Sequence, residues 1–425
     1  MLKKIYHYLL SVLFYWFYGR PSRKLIIIGV TGTKGKSTTC RFIASVLQAG
    51  GHKVGLLSTV EFQIGDKRWL NLRKMTMLGR GEIHKMLQQM VEAGCKYAVV
   101  ETSSEGILQY RHLGLNYDIA VFTNLGTEHS ERHGGFKNLK RDKGKLFASL
   151  TQTSPKIIND QKIPKIIVAN VDDANSEYYL NFSADKKIKY STLGPADVVG
   201  QNIKSDLSGT NFTVDNKNFH LNLVGEFNVP NALAAIAVGR TQNISEDQII
   251  AGLASIKVLE GHMEFIEEGQ PYKIIVDYAH EPLSFTALFN SLNTTRAKNC
   301  KLIAIIGSDG GGRDIGKREK MGEIAGKLCD IVIVTDVNCF DEDPSLIAEM
   351  LAKGVRSAGK KDGQDLFVEI DRRAAITMAC NMAKVGDVIV ITAKGTEPCI
   401  IQAHGKRIPW DDRNIAREIL RQGSL

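Results

Sequence analysis

Residues Gly29 to Thr39 read GVTGTKGKSTT and follow an aliphatic run from Leu25 to Ile28. The run predicts a buried strand over Leu25–Val30, and the glycines after it let backbone N–H groups approach phosphate oxygens. A helix opening at Lys36 would aim the positive end of its dipole at the same anion. Lys36 then neutralises terminal phosphates, and Ser37 or Thr38 holds Mg²⁺ through a hydroxyl. The common spacing is GxxxxGK[ST], but five residues separate Gly29 from Gly35; counted from Val30 the spacing fits and the first glycine is missing. Gly32, Thr33, Lys34, Gly35, Lys36, Ser37 and Thr38 are thus a candidate nucleotide cradle of variant form. The competing reading is a plain glycine-rich turn in a parallel sheet.

Working outward, a helix is expected over Ser37–Ala49, ending at Gly50-Gly51, then a strand over Lys53–Ser58. Helix Gly81–Ala93, strand Lys96–Glu101 and strand Asp118–Thr123 extend the alternation. Strands and turns follow between Lys165 and Phe219, and Leu221–Gly239 returns to helix. Beyond a boundary near Lys257–Gly261 a second series begins: strand Lys273–Val276, helix Leu283–Leu292, strand Lys301–Ile306, a turn at Gly310–Gly312, helix Glu319–Lys327, and strands Ile331–Thr335 and Asp387–Thr392. The fold class is α/β, a central P-loop ATPase-type parallel-sheet domain over 24–258 followed by a Rossmann-like α/β domain over 259–425. Residues 1–23 form an apolar N-terminal helix, and no internal repeat is visible.

Composition agrees with a folded two-domain chain: 425 residues, 43% apolar and 24% charged. The formal charge of +9 favours anionic partners, but the cations are scattered and no aromatic-interleaved basic stripe marks a nucleic-acid surface. Seven cysteines stand singly without a CxxC pair, which fits a reducing cytoplasm better than a zinc ribbon or a secreted disulfide framework. The run from Ile5 to Tyr18 has no small-residue cleavage site and is shorter than the about 20 residues that span a bilayer. Two readings stand for it: a helix packed on the protein or a partner subunit, or an interfacial helix with Trp16 and tyrosines among lipid headgroups, giving residues 1–20 a peripheral contact with the inner face of the membrane.

Chemistry-bearing residues fall at the ends of the expected strands, the edge where α/β sheets bind ligands. Glu101, in VVETSS, is a candidate metal ligand. Thr123-Asn124, Glu128-His129 and His133-Gly134 follow the next strand, where a second divalent ion has room, although a histidine satisfied on a loop explains either imidazole alone. Lys143 lies on an expected helix with Leu146 and Phe147 behind it.

The order GVTGTKGKST, VVETSS, VFTNLGTEHSERHG, DKGKLF, LVGEFNVPNALAAIA, GHME, VDYAHEP, IGSDGGGRDIGKREKMGEIA, EDP, AKGTE and WDDR resembles the Mur ligases, ATP-dependent amide-forming enzymes of peptidoglycan synthesis. The resemblance runs from about Leu25 to Leu420 and is strongest to the branch that adds the third residue to UDP-N-acetylmuramoyl-L-alanyl-D-glutamate. It implies that an acceptor carboxylate attacks the γ-phosphate of ATP, giving an acyl phosphate and ADP, and that an amine then displaces phosphate. Both steps crowd anions, which Lys36 and two Mg²⁺ ions offset. By the family pattern Ser37 and Glu101 serve one Mg²⁺ and His129 the other. Lys143 matches the lysine that takes up CO₂ as a carbamate, a hard oxygen ligand that an ammonium is not. Lys36, Lys143, His129 and Glu101 are the implied catalytic set. Asp277 and His280, flanking Tyr278, meet the nucleotide, Asn228 and Asn231 match the segment near adenine, and Arg313 with Lys317 lies in the glycine-rich stretch. The candidate substrate contacts are Thr76, Thr102, Ser103, Ser104, Asn338, Phe340 and Glu397. The implied partners are ATP, an anionic muramoyl-peptide-like acceptor and an amino acid.

Four departures qualify the resemblance. Only about twenty residues precede the loop where the family has a UDP-binding domain. Lys34 stands where asparagine is usual, and His262 where the later motif has arginine. Phe340 replaces the arginine that would fork onto the distal carboxylate of diaminopimelate, so an amine without that carboxylate is easier to place. Glu105 replaces a histidine. Besides a wall-peptide ligase, an amide ligase on another acceptor, such as a folate being polyglutamylated, and a nucleotide-binding switch without ligation remain as readings; Glu101, His129 and Lys143 argue against the switch.

Overall fold

A computed structural model describes residues 2–73, 75–126, 133–152, 155–312 and 315–423. The chain divides into two compact units: Met1–Lys204 with Thr210–Leu221 and Phe227–Lys257, and Val258–Leu425 with Ser205–Gly209 and Asn222–Glu226.

Up to residue 257 the elements are α1 (Leu2–Phe17), β1 (Ile26–Thr31), α2 (Lys36–Ala49), β2 (Val54–Leu57), β3 (Glu61–Ile64), β4 (Lys67–Leu70), α3 (Arg80–Glu92), β5 (Tyr97–Glu101), α4 (Ser104–Leu108), β6 (Ile119–Phe122) and α5 (Phe136–Ala148), then β7 (Ile157–Ile158), β8 (Gln161–Lys162), β9 (Ile166–Asn170), α6 (Ser176–Leu180), β10 (Lys186–Ser191), β11 (Val198–Val199), β12 (Gln201–Asp206), β13 (Gly209–Val214), β14 (Lys217–Leu221), α7 (Asn228–Thr241) and α8 (Glu246–Ala254). Nine strands make one sheet in the order β11-β10-β9-β6-β1-β5-β2-β3-β4. It is parallel from β11 to β2, and the β3–β4 hairpin closes one edge antiparallel. Every residue of β1 is buried, as expected for a central parallel strand covered on both faces. From β1 the chain builds β2 and β5 on one side and then β6 and β9 on the other, so the loop after β1 lies at a topological switch. The register sets Val30 beside Glu101 and Thr31 beside Phe122, which brings the ends of β5 and β6 level with that loop.

Phe122 and Tyr179 stack at 4.1 Å in the core beneath the site, with Phe147 against the same tyrosine. At the opposite sheet edge Asp118 accepts from Lys156, Lys165 and the Ile27 N–H at 2.6, 2.9 and 2.9 Å, all buried. Burial pulls Lys156 down to about 8 even though Asp118 acts the other way. This cluster is structural, since a buried charge without its partner is strongly destabilising.

The sequence expectations for strands and helices around the loop hold to within a residue or two, but the β3–β4 hairpin was not expected. Leu221–Gly239 differs more. Leu221 ends β14, and the helix starts only at Asn228. Gly225 at φ +109 breaks the path between them, and Val224 is buried with the second unit's core.

α1 packs on α3. His84 of α3 has no exposed surface and lies under Tyr15, ring centroids 5.9 Å apart. Burial lowers its pKa from 6.5 to about 4, with the Leu113 backbone opposing. The unfolded chain therefore takes up a proton that the folded chain refuses until the pH nears 4. Stability present above pH 6.5 is lost as pH falls through the folded value, by up to about 3 kcal/mol. His84→Leu should make the urea midpoint less sensitive to acidification between pH 7 and 4.5 than in the parent; equal slopes would remove His84 from the acid response.

The second unit holds β15 (Glu264–Ile266), β16 (Lys273–Val276), α9 (Pro282–Thr295), β17 (Leu302–Ile306), α10 (Gly316–Leu328), β18 (Ile331–Val334), α11 (Pro344–Ser357), β19 (Leu366–Val368), α12 (Arg372–Met382), β20 (Val388–Ile391), β21 (Cys399–Ile401), β22 (Arg407–Pro409) and α13 (Asp412–Gly423). Its six-stranded sheet runs β15-β16-β20-β17-β18-β19, parallel but for β15, and aliphatic clusters cover both faces. Two sequence motifs find structural roles here. Arg372 is buried against Asp412 of WDDR at 2.8 Å through both Nε and a terminal nitrogen. Glu264 of GHME accepts from the Gly261 N–H at 2.9 Å and pairs with Arg413 at 3.4 Å.

Candidate active site

The loop after β1 is held from behind. Gly35 adopts φ +77, which disfavours a side chain, and a Cβ there would lie 2.2 Å from Asn231 Oδ1 of α7. A Cβ on Gly32 would meet Thr123 Oγ1 at 1.9 Å. Gly29 has a different cause: a Cβ there would strike the Tyr117 ring at 2.6 Å, so this glycine answers to core packing. The irregular spacing of the motif is thereby explained, because Gly32 and Gly35 shape the loop and Gly29 does not.

The segment after β6 clamps the same loop. The Thr33 N–H donates to the Asn124 carbonyl at 2.9 Å, and the Lys34 N–H to Asn124 Oδ1 at 2.8 Å. Thr123 Oγ1 donates to the Lys34 carbonyl at 2.7 Å, and the Gly126 N–H to Thr33 Oγ1 at 2.8 Å. Thr123 and Asn124, expected beside a second divalent ion, thus serve as scaffold for the loop. Lys36 Nζ folds back to the Thr33 carbonyl at 2.9 Å, and Lys143 Nζ on α5 donates to the Gly32 carbonyl at 2.7 Å. Lys143 is 4% exposed, which sets it apart from a surface salt-bridge lysine.

Glu101, at the end of β5 and 2% exposed, faces the start of α2. Its Oε2 accepts from Ser37 Oγ at 2.9 Å and from the Thr59 N–H at 2.7 Å, and its Oε1 accepts from Thr59 Oγ1 at 2.9 Å. Thr59 Oγ1 also meets Thr76 Oγ1 at 2.9 Å. Three candidates, Ser37, Glu101 and Thr76, are therefore brought together, and Thr59 was missed. Its only signal was position, just past the strand beside β5. The donor set fits Mg²⁺: a carboxylate and a hydroxyl, hard oxygens on one edge, suit an ion bound through one or two carboxylates plus phosphates.

Other candidates sit elsewhere. The Thr102 hydroxyl is buried against Tyr117 Oη at 2.9 Å and the Val100 carbonyl at 3.1 Å. Ser103 caps α4 by accepting from the Gly106 N–H at 3.1 Å, and Ser104 is 7% exposed at that helix start. The Thr102 hydroxyl is thus turned inward, while Ser103 is half-buried. Asn231 accepts from Thr39 Oγ1 at 3.2 Å behind the loop, and Asn228 is buried at the head of α7. His129 and Arg313 lie outside the described residues. His133 binds Asp142 at 2.7 Å through Nδ1. Burial opposes ionisation of Asp142, but its bonds to Lys145 and His133 outweigh it and hold the carboxyl below the usual range.

In the second unit Asn338 is the hub. Its Nδ2 donates to Asp309 Oδ1 at 2.7 Å and Glu397 Oε2 at 3.0 Å, while its Oδ1 accepts from Lys394 Nζ at 3.1 Å and the Ile401 N–H at 2.9 Å. Lys394 also pairs with Glu397 at 3.0 Å. Asp309 and Lys394 were not expected from sequence. Burial, then the charges of Glu397, Asp309 and Glu281, push the Tyr278 phenol up. Phe340 takes φ +52 beside Gly311, a backbone conformation uncommon for an aromatic residue. Asp277 accepts from the Met263 and Ala279 N–H groups at 2.8 and 2.7 Å, and His280 Nδ1 meets the Tyr278 carbonyl at 2.7 Å. His262 packs edge-on against Tyr278, centroids 6.1 Å apart.

A phosphate loop at the switch of a parallel sheet, with a hydroxyl and a carboxylate joined at the head of its helix, defines an α/β P-loop enzyme. The model of the Mur ligase middle domain matches residues 30–239, and that of the Mur ligase glutamate ligase domain matches 261–395. A UDP-N-acetylmuramyl-tripeptide synthetase of Roseiflexus sp. (strain RS-1) is 38% identical over 416 residues, 95% of this chain and 80% of that protein. A UDP-N-acetylmuramoyl-L-alanyl-D-glutamate--2,6-diaminopimelate ligase of Geobacillus kaustophilus (strain HTA426) is 35% identical over 96% of this chain and 81% of its own. A solved structure of a ligase with that same name superposes with TM-score 0.65 at 28% identity, covering 94% and 79% of the two chains. The chain belongs to the Mur ligase family, and it is an ATP-dependent, ADP-forming amide ligase of the kind that builds peptidoglycan.

Proposed function

We propose that the protein joins an amino acid to the terminal carboxylate of a muramoyl-peptide precursor. The names of its relatives point to that acceptor. The observation that carries the catalytic reading is the Ser37–Glu101 pair at the head of α2, directly after the clamped loop. Backbone N–H groups of residues 35–38, at the head of α2, cradle the phosphates of ATP. Lys36, now on the Thr33 carbonyl, swings onto the γ-phosphate as the acceptor carboxylate oxygen attacks it and ADP leaves. Ser37 and Glu101 would hold Mg²⁺, which would supply positive charge to offset that on the phosphate oxygens. The amine then adds to the acyl phosphate, loses a proton, and expels inorganic phosphate.

Lys143 takes the carbamate role. Its neutral amine adds CO₂ with loss of a proton, and the remaining N–H keeps the Gly32 carbonyl. The product is a buried carboxylate for a second Mg²⁺, with His129 as the partner ligand that the motif supplies. Asn338, Glu397 and Phe340 are the residues we assign to the amine side, as the motifs imply. Phe340 in the place of a forked arginine favours an amino acid without a distal carboxylate over diaminopimelate.

The test supplies ATP, Mg²⁺, UDP-muramoyl-dipeptide or a folyl acceptor, and a panel of amino acids, and reads ADP and phosphate. Release should require the muramoyl acceptor and an amine, with diaminopimelate a poorer amine than lysine or a neutral amino acid. Turnover on the folyl acceptor alone would replace the acceptor, and preference for diaminopimelate would refute the role of Phe340. Tight ATP binding without turnover on any pair would mean a switch.

A further inference from the structure

α1 is apolar on two opposite faces, and the described residues cover only one. Inward, Ser11 Oγ donates to the Tyr110 carbonyl at 2.9 Å, the Phe14 ring lies 3.1 Å from where a Cβ on Gly81 would be, and Tyr15 Oη accepts from Asn116 at 3.1 Å over His84. Turned away from these, at helical spacing, Tyr6, Leu9, Leu13 and Trp16 are each 59% exposed and Phe17 is 74% exposed. A helix lying on a protein in water normally carries polar residues on its outer stripe. Here that stripe is aliphatic and aromatic.

Charge indicates what covers it. Lys3 and Lys4 precede the stripe and Arg20, Arg23 and Lys24 follow it, while the first acidic residue of the whole chain is Glu61. Arg20 lies over the Trp16 ring, 4.6 Å from its centroid, at the end of the exposed stripe. A second copy seated on this face would set cations against cations, whereas an anionic lipid surface offers acyl chains for Leu9, Leu13 and Phe17, an interface for Trp16 and Tyr6, and counter-charges for the flanking lysines and arginines. No helix among the described residues is long and apolar enough to cross a membrane, so the helix would lie along the surface. We propose that the outer face of α1 docks the enzyme on an anionic bilayer. This stands apart from the choice of acceptor, and its test needs no substrate.

The full chain is sedimented with vesicles of equal parts phosphatidylglycerol and phosphatidylcholine, or of phosphatidylcholine alone. Partition onto the anionic vesicles should be at least about tenfold higher and should fall as salt is raised. The double change Leu13→Glu with Trp16→Glu should lower it by at least about tenfold, with the thermal midpoint kept. Lys3→Ser with Lys4→Ser, which leaves the stripe intact, should erase much of the anionic preference. Absence of partition, or equal partition onto both vesicles, would overturn the proposal. So would a dimer in sedimentation velocity that Leu13→Glu dissolves, because a second copy would then be the occupant.

Discussion

Glu101→Gln should lower ADP release by on the order of 10²–10³-fold while leaving the fold intact. The amide oxygen can keep the bonds from Ser37 Oγ and the Thr59 N–H, and its NH₂ can turn to Thr59 Oγ1, which accepts as well as donates. The stability change is then about 1 kcal/mol, the scale of one altered hydrogen bond. What disappears is the negative charge beside the phosphates. The apparent Mg²⁺ requirement should rise with the loss of rate, and a thermal scan should place the midpoint within a few degrees of the parent. Near-parental turnover at low Mg²⁺ would take Glu101 out of the metal site and leave it as a brace for the turn at Thr59.

The second large effect is at Lys143. Lys143→Arg keeps a cation able to donate to the Gly32 carbonyl, but a guanidinium cannot carry CO₂ at neutral pH. Lys143→Ala removes both. If the lysine works as a carbamate, both variants lose activity by on the order of 10²-fold or more, and short carboxylates such as acetate restore part of it in the alanine variant, which has room for them. If Lys143 serves only as a buried prop for the loop, the arginine variant stays active and nothing rescues the alanine one. The two variants together separate chemistry from scaffolding, since the bond to Gly32 is at once a structural contact and the means of aiming the amine.

Much of this site was legible because it is built from contiguous residues. The loop, its helix and Glu101 announce themselves through an aliphatic strand, glycines and a polar residue at the next strand's end, and the register of β1 with β5 does the rest. Legibility failed where a residue's role comes from a neighbour distant in sequence. Gly29 opens the glycine-rich stretch, yet its role is to make room for Tyr117. Asn124 read as a ligand-side residue, yet it holds the backbone of residues 33 and 34. Thr102 read as a substrate contact like Ser103 and Ser104, but alternation at the strand end turns its hydroxyl into the core, where Tyr117 meets it. Lys394 and Asp309 sit inside the quoted AKGTE and IGSDGGG stretches, but nothing local shows that both converge on Asn338.

By itself the sequence determined the class of the fold, the nucleotide loop, and the family through motifs in a set order, since these depend on local periodicity and on residue types whose chemistry is intrinsic. Only the tertiary structure decided which glycine shapes the loop, that Thr59 and Thr76 complete the polar set around Glu101, and that Lys143 is buried with its amine on the loop. It also decided that one apolar face of α1 is covered and the other is not. Each of these depends on which surfaces the sheet order brings together, and a linear pattern does not encode that contact until the strands have paired.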